Sequence, residues 1–258
     1  MTYNKVVIIG SGNVAYHLAK SMVGADLEVR LYARNKELGA EICTAFDLAQ
    51  IHQLTEICSD ELVVLCVNDM AVQKVILDLP PHVAIVYTSG NLSLSSLKQR
   101  EHLGVFYPLQ TFTKGTDLAQ GNFPILIESN NLDFQNSLLL LAKKISTQTH
   151  VANSEQRRQF HISAVFANNF VNHLWHLSKN RLDQSQLDWN ILLPLINESV
   201  NKLQKLGPFK AQTGPARRID NKTIEEQLNL LSQKEHDIYR LLTDSILDTY
   251  GKEEKNEL

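Results

Sequence analysis

A chain of 258 residues, 43% hydrophobic and 21% charged, is long enough for one large or two moderate globular domains and has a soluble protein's composition. Its net charge of -3 offers no basic footprint, so neither nucleic acid nor an anionic membrane surface is an expected partner. Three cysteines, Cys43, Cys58 and Cys66, with no C-x-x-C pair, exclude a disulfide framework and a zinc knuckle and point to a reduced setting. No apolar run approaches the roughly 18 residues of a membrane helix. A strand pattern that begins at Lys5 leaves no room for a signal peptide, and a cytoplasmic location is expected.

The first element is VVIIGSGNVAYHLAKSM, Val6 to Met22: an apolar strand, a glycine turn and a helix start. The spacing of Gly10, Gly12 and Ala15 fits G-x-G-x-x-G/A, in which the first glycine turns the chain and the second lets backbone approach a pyrophosphate. Gly10, Ser11, Gly12, Asn13 and Val14 are therefore candidate cofactor contacts, with the helix dipole facing the phosphates. Leu27 to Ala33 reads as the second strand. Its end decides the cofactor, because an NAD site places an acid there to accept from the ribose 2′-OH. Here the residues are Ala33, Arg34, Asn35 and Lys36, with no carboxylate before Glu37. Arg34 can fork onto a 2′-phosphate, so NADP is expected. The alternative is an ordinary surface arginine.

Between Lys36 and Glu61 the pattern leans to helix and places no third strand. Glu61 to Val67 (ELVVLCV) has the continuous apolar character of a strand buried on both faces. Val67, Asn68 and Asp69 follow at its carboxyl edge, where doubly wound sheets bind ligands, although Asp69 equally reads as the cap of a helix from Met70 to Leu79. Val83 to Tyr87 is the next strand and runs into Ser89 and Gly90, which suit a nicotinamide rim or a turn without a ligand. Ser93 caps an expected short helix through Arg100. A strand from Val105 leads to the polar and aromatic loop Tyr107 to Phe112, with Gln110 as a substrate contact. Strand Pro124 to Glu128, helix Leu132 to Ile145 and strand Thr147 to Val151 complete an α/β alternation.

Beyond Asn153 no strand pattern recurs, so the expected domains are 1–152, a cofactor domain, and 153–258, all helical. Ser154 to Leu182 reads as one helix of about 29 residues, roughly 43 Å long. Two arginines in its first turns, Arg157 and Arg158, sit against the helix dipole. Further helices are expected at Leu187 to Leu206, Ile224 to Leu231 and Glu235 to Tyr250, before a frayed charged tail. The long helix carries His161, Asn169, His173 and His176. His161 can move a proton near neutral pH and Asn169, two turns on with an offset of about 80°, can border the same groove. The competing reading is a pair of packing residues. Metal binding by His173 and His176 is not expected, for want of a carboxylate partner in sequence. The segment Gln212 to Asp220 presents Arg217 and Arg218 to an anionic substrate or is a solvated linker. A cleft between the two domains is the expected place of chemistry.

These motifs resemble a bacterial family with a Rossmann-like NADP-binding domain and a C-terminal domain of unknown function. Its members are identified by similarity as NADP oxidoreductases of the deazaflavin-dependent type, related to pyrroline-5-carboxylate reductase and to the 6-phosphogluconate and 3-hydroxyacid dehydrogenases. The resemblance spans the chain and rests on GSGNVA at 10–15, SG at 89–90, YPLQTF at 107–112, His161 with Asn169, and TGPARRID at 213–220. It implies an α/β Rossmann domain, doubly wound with a mainly parallel sheet, followed by an all-α domain of the 6-phosphogluconate dehydrogenase C-terminal type. Tyr107 stands where the loop usually has histidine, and Ile219 where an Arg-Gly-Asp run would have glycine. The lysine of the hydroxyacid relatives has no counterpart before Lys179.

The expected function is hydride transfer between NADP(H) and a small carbonyl, imine or hydroxy-acid substrate. His161 is the candidate proton donor, with Asn169, Gln110, Arg218 and Asp220 around the substrate. The rival reading is a non-catalytic NADP(H)-binding or redox-sensing protein. Small residues at Ala164, Ala167 and Ser178 suit a homodimer through the helical domain under either reading.

Overall fold

Val6 to Ile9 lack polar alternation because strand β1 (Lys5–Ile9) is buried on both faces, as are β4 (Leu62–Leu65) and β5 (Ala84–Tyr87). The computed structural model describes residues 3–118 and 122–251. The remaining strands are β2 (Glu28–Tyr32), β3 (Ala49–Gln50), β6 (Leu103–Pro108), β7 (Ile125–Ser129) and β8 (Thr149–Val151). They form one sheet in the order β3-β2-β1-β4-β5-β6-β7-β8, parallel throughout except that β7 runs antiparallel to β6. Helices α1 (Asn13–Val23), α2 (Lys36–Phe46), α3 (Asp69–Asp78) and α4 (Leu132–Ile145) complete the doubly wound pattern. Two apolar cores result. Leu18, Met22, Leu31 and Phe106 belong to one, and Val63, Ile76, Ile85 and Val105 to the other.

Strand register aligns the carboxyl ends. Ile9 pairs with Tyr32 on one side and with Leu65 on the other, and Leu65 pairs with Tyr87. The loops that follow β1, β2, β4 and β5 therefore leave the sheet at one edge.

The chain divides into two compact units, Met1–Phe170 and Val171–Leu258. The first includes α5 (Ser154–Ala164) and a π-helical segment, Val165–Phe170. The second consists of α6 (Val171–Gln184), α7 (Leu193–Ala211), α8 (Asn221–Leu228) and α9 (Gln233–Tyr250). Its small core gathers Ala216, Ile224 and Leu228, and α6 and α7 contain no buried residue. Among the described residues no helix is long and apolar enough to cross a membrane.

Several elements differ from the periodicity reading. The expected single helix after Asn153 is broken by π turns, and Leu187–Leu206 becomes a short 3-10 turn followed by α7, kinked at Gly207 (φ 73) before Pro208. The expected helix after Ser93 is only the turn Leu94–Ser96. A third strand exists, but with two residues it carries no readable period. The expected frayed tail lies outside the described residues beyond Gly251.

Candidate functional site

The turn after β1 shows two glycines under different constraints. Gly10 has φ +136, and an added Cβ would lie 2.2 Å from the Cys66 carbonyl oxygen, so the chain can cross the end of β4 only without a side chain. A Cβ at Gly12 would meet nothing within 4 Å. Gly12 is also the N-cap of α1 and gives it no side-chain cap, whereas Asn35, Asn68, Asn131 and Asn153 cap α2 to α5. Open space before uncapped N–H donors is a cradle that fits a phosphate. Ser11 lies in this turn, half-buried. The Asn13 side chain holds a neighbouring loop by accepting from Lys114 N at 3.1 Å.

At the end of β2, Ala33 is buried. Arg34 is exposed and makes no hydrogen bond or ion pair with another described residue. Asn35 caps α2, accepting from Leu38 N at 3.1 Å. At the end of β4, Asn68, rather than Asp69, caps α3 by accepting from Met70 N at 3.0 Å. The Asp69 carboxylate instead accepts from Ser89 Oγ at 2.8 Å, tying the β4 and β5 loops together. Ser89 Oγ in turn accepts from the N–H groups of Asn91 and Leu92. Cys66, beside half-buried Val67, has its thiol pushed up to about 12 by burial, so it is held as a neutral thiol.

Helix α5 is anchored by a network built on Arg157, whose side chain is fully buried. The guanidinium pairs with Glu128 on β7 and donates to the carbonyls of Ser89 at 3.1 Å and of Leu92. Glu128 also accepts from the backbone and hydroxyl of Ser154 at 3.0 and 2.8 Å. A cation one turn into a helix, unfavourable against the dipole, is thus compensated by a carboxylate at the same end.

One turn after Arg157, the same face presents His161. Its Nδ1 lies 3.0 Å from the phenol oxygen of Tyr107, at the end of β6. Gly90 lies against this contact: an added Cβ would stand 2.7 Å from His161 Nδ1 and 2.8 Å from Tyr107 Cζ. Burial raises the Tyr107 phenol above the usual tyrosine range, and the Arg157 charge opposes this only in part. The group is a neutral phenol.

His161 and Tyr107 line a cavity of about 450 Å³ with Asn13, Val14, Gln110 and Asn169. Regular α-helical geometry at 100° per residue leaves Asn169 about 80° away from His161. The π turns at Val165–Phe170 wind more residues per turn, which closes that offset and brings Asn168 and Asn169 to the same wall as His161. The loop that carries Gln110 is pinned at Phe112, which stacks on His17 at 4.7 Å. His17 Nε2 donates to the Thr113 carbonyl at 2.8 Å. Gln110 itself is exposed and accepts from Thr111 N.

Arg218 and Asp220 belong to the second unit. Asp220 caps α8, accepting from Thr223 N at 3.1 Å and Thr223 Oγ1 at 2.7 Å, contacts that hold its carboxyl below the usual range. Arg218 is exposed, and Arg217 stands over the Tyr250 ring. Ile219 adopts φ 54, the left-handed conformation that glycine would take without strain.

Tyr107, Gly90, Arg157 and Glu128 were not read as one constellation in the sequence. The available signal was the four-residue step from Arg157 to His161, together with a lone acid closing the apolar strand at Glu128.

A family model described as NADP oxidoreductase coenzyme F420-dependent matches residues 5–88, and one described as Domain of unknown function (DUF2520) matches residues 123–246. Among solved structures, a protein from Bacteroides fragilis, provisionally named an NADP oxidoreductase, is 31% identical. That match covers 95% of this chain and 98% of the other, with a TM-score of 0.86. The 1-pyrroline-5-carboxylate reductase of Streptococcus pyogenes shares the fold at 15% identity, covering 95% and 97% of the two chains, with a TM-score of 0.64. A reductive aminase from Aspergillus terreus, solved with NADPH and ethyl levulinate, shares it at 10% identity, 96% and 95% coverage and a TM-score of 0.71. No curated protein sequence matches the chain.

Proposed function

We propose that this chain, which belongs to the NADP oxidoreductase family of its Bacteroides fragilis relative, reduces a small carbonyl or imine, or interconverts a hydroxy acid, at the cavity beside the glycine turn. The observation that carries the reading is one wall on which His161, Tyr107 and Asn169 adjoin Asn13 and Val14 of the uncapped α1 terminus. A cofactor-binding protein without turnover needs the turn but not the cavity. When bound, NADPH supplies a hydride at the nicotinamide.

In this reading Gly10, Ser11, Gly12, Asn13 and Val14 receive the pyrophosphate, and the exposed Arg34, between Ala33 and Asn35, takes the 2′-phosphate. Val67, Asn68, Ser89 and Gly90 border the nicotinamide end, because strand register brings their loops to the edge that β1 reaches. His161 gives the proton to the oxygen or nitrogen that receives the electron pair of the reduced double bond. Asn169 and Gln110 orient that atom from the cavity wall. In the second unit, Asp220 holds the Arg218 loop by capping α8, which leaves the exposed Arg218 guanidinium suited to an anionic group.

The helical unit supports a homodimer. Leu195, Leu203 and Leu206 of α7 are 64%, 47% and 50% exposed, more apolar surface than a lone helix keeps in water. Light scattering on the purified chain measures the mass directly.

A screen of NADPH oxidation against keto acids, aldehydes, cyclic imines and a deazaflavin tests the function. Turnover that survives unchanged in His161→Ala removes that residue from the mechanism.

A further inference from the structure

The contact between Tyr107 and His161 determines where the imidazole carries its proton. Nδ1 faces the phenol oxygen at 3.0 Å, with the two rings edge to face at 6.1 Å between centroids. The same ring edge is pressed against Gly90, where no side chain can intervene. Nε2 is different: it has no partner among the described residues and is not enclosed. Because His161 lines the cavity, Nε2 is the nitrogen available there. The phenol is neutral, and burial raises it further from ionisation. A phenol O–H is a good donor, and an unprotonated imidazole nitrogen is a good acceptor.

We propose that Tyr107 is a positioning residue for His161: its hydroxyl donates to Nδ1, holds the neutral ring as the Nε2–H tautomer, and so sets on Nε2 the proton that faces the cavity. The geometry stands by itself, and only its catalytic meaning rests on His161 being the proton donor. For a carbonyl substrate, hydride addition at carbon moves the π pair onto oxygen, and that alkoxide takes the proton from Nε2. As it leaves, Nδ1 takes the Tyr107 proton, so the ring ends neutral and the phenol becomes a phenolate, whose burial the Arg157 charge offsets only in part. A proton from solvent then restores Tyr107. An alkoxide is a much stronger base than a phenolate, so the transfer runs downhill.

Long-range proton–nitrogen correlation NMR on the full-length protein, with isotope-labelled histidine and no cofactor, tests this directly. His161 is assigned by the signal lost in His161→Gln. At a pH where the ring is neutral, Nε2 is expected at the shift of a protonated nitrogen and Nδ1 at that of a bare one. In Tyr107→Phe the two shifts should move toward each other as the tautomers mix. A wild-type ring protonated on Nδ1, or a Tyr107→Phe spectrum with unchanged His161 shifts, overturns the proposal. Should Tyr107→Phe fail to fold, the wild-type tautomer alone decides. NADPH titration of the same samples reports separately on the proposed function: an Nε2–H ring in a protein that does not bind NADPH refutes that function and leaves the role of Tyr107 standing.

Discussion

Arg157 and Glu128, 29 residues apart in sequence, form a largely buried ion pair that fixes the start of α5 against β7. Because His161 follows Arg157 by one helical turn, this pair also sets the height at which the imidazole meets Tyr107. Truncating Arg157 to Ala leaves the largely buried Glu128 without its cation and strands the carbonyl of Ser89, while the Leu92 carbonyl keeps the Tyr87 hydroxyl. The expected cost is about 3–5 kcal/mol in urea unfolding. The double variant Arg157→Met with Glu128→Leu removes both charges and should lose less than Arg157→Ala. An equal or larger loss would mean that backbone anchoring, rather than charge compensation, dominates.

The two glycines of the first turn separate stability from binding. Gly10→Ala forces a Cβ against the Cys66 carbonyl at a positive φ and should destabilise by about 2–5 kcal/mol, or prevent folding. Gly12 has φ -85 and open space around it, so Gly12→Ala should melt like the wild type. Its NADPH affinity should fall by about ten-fold or more, since the methyl group would occupy the phosphate cradle. Unchanged affinity in Gly12→Ala would show that the cradle is not used.

Gly90→Ala drives a methyl group between Nδ1 of His161 and the Tyr107 ring. The strain should cost about 1–3 kcal/mol of stability. Turnover should fall far more than NADPH affinity does, because the perturbed contact lies at the cavity and not at the phosphates. A parallel loss of both would place Gly90 in cofactor binding alone.

Ile219 holds a left-handed conformation that costs a β-branched residue about 1–2 kcal/mol. Being 40% exposed, it returns little by burial. Ile219→Gly relieves the strain but loosens the unfolded chain, and the net gain expected in chemical denaturation is about 0.5–1 kcal/mol. A loss of stability would show that the Ile219 side chain packs against something that compensates the strain.

The sheet was legible because its strands are buried on both faces: VVII, LVVL and AIVY admit few other readings beside glycine and proline stops. The pair Ala49–Gln50 was not, since two residues define no period and are held by pairing with β2 alone. The π turns escaped for a related reason. A sequence pattern assumes 3.6 residues per turn, and nothing local in VFANNF announces a wider winding. At the site, His161 and Asn169 were visible among the polar residues of an unusually polar long helix, and Gly10 and Gly12 by their spacing. The role of Tyr107 was hidden because it depends on a contact 54 residues away, and that of Arg157 because its partner lies 29 residues back, on β7.

The central claim is an NADP-selective reductase site at the carboxyl edge of the sheet, and calorimetric titration of the wild type and Arg34→Ala with NADPH and NADH tests it most directly. The account predicts that the wild type binds NADPH at least about ten-fold more tightly than NADH, the worth of one charge-assisted contact to the 2′-phosphate, and that Arg34→Ala erases the difference. Equal affinities in the wild type, or a preference that survives Arg34→Ala, would contradict it.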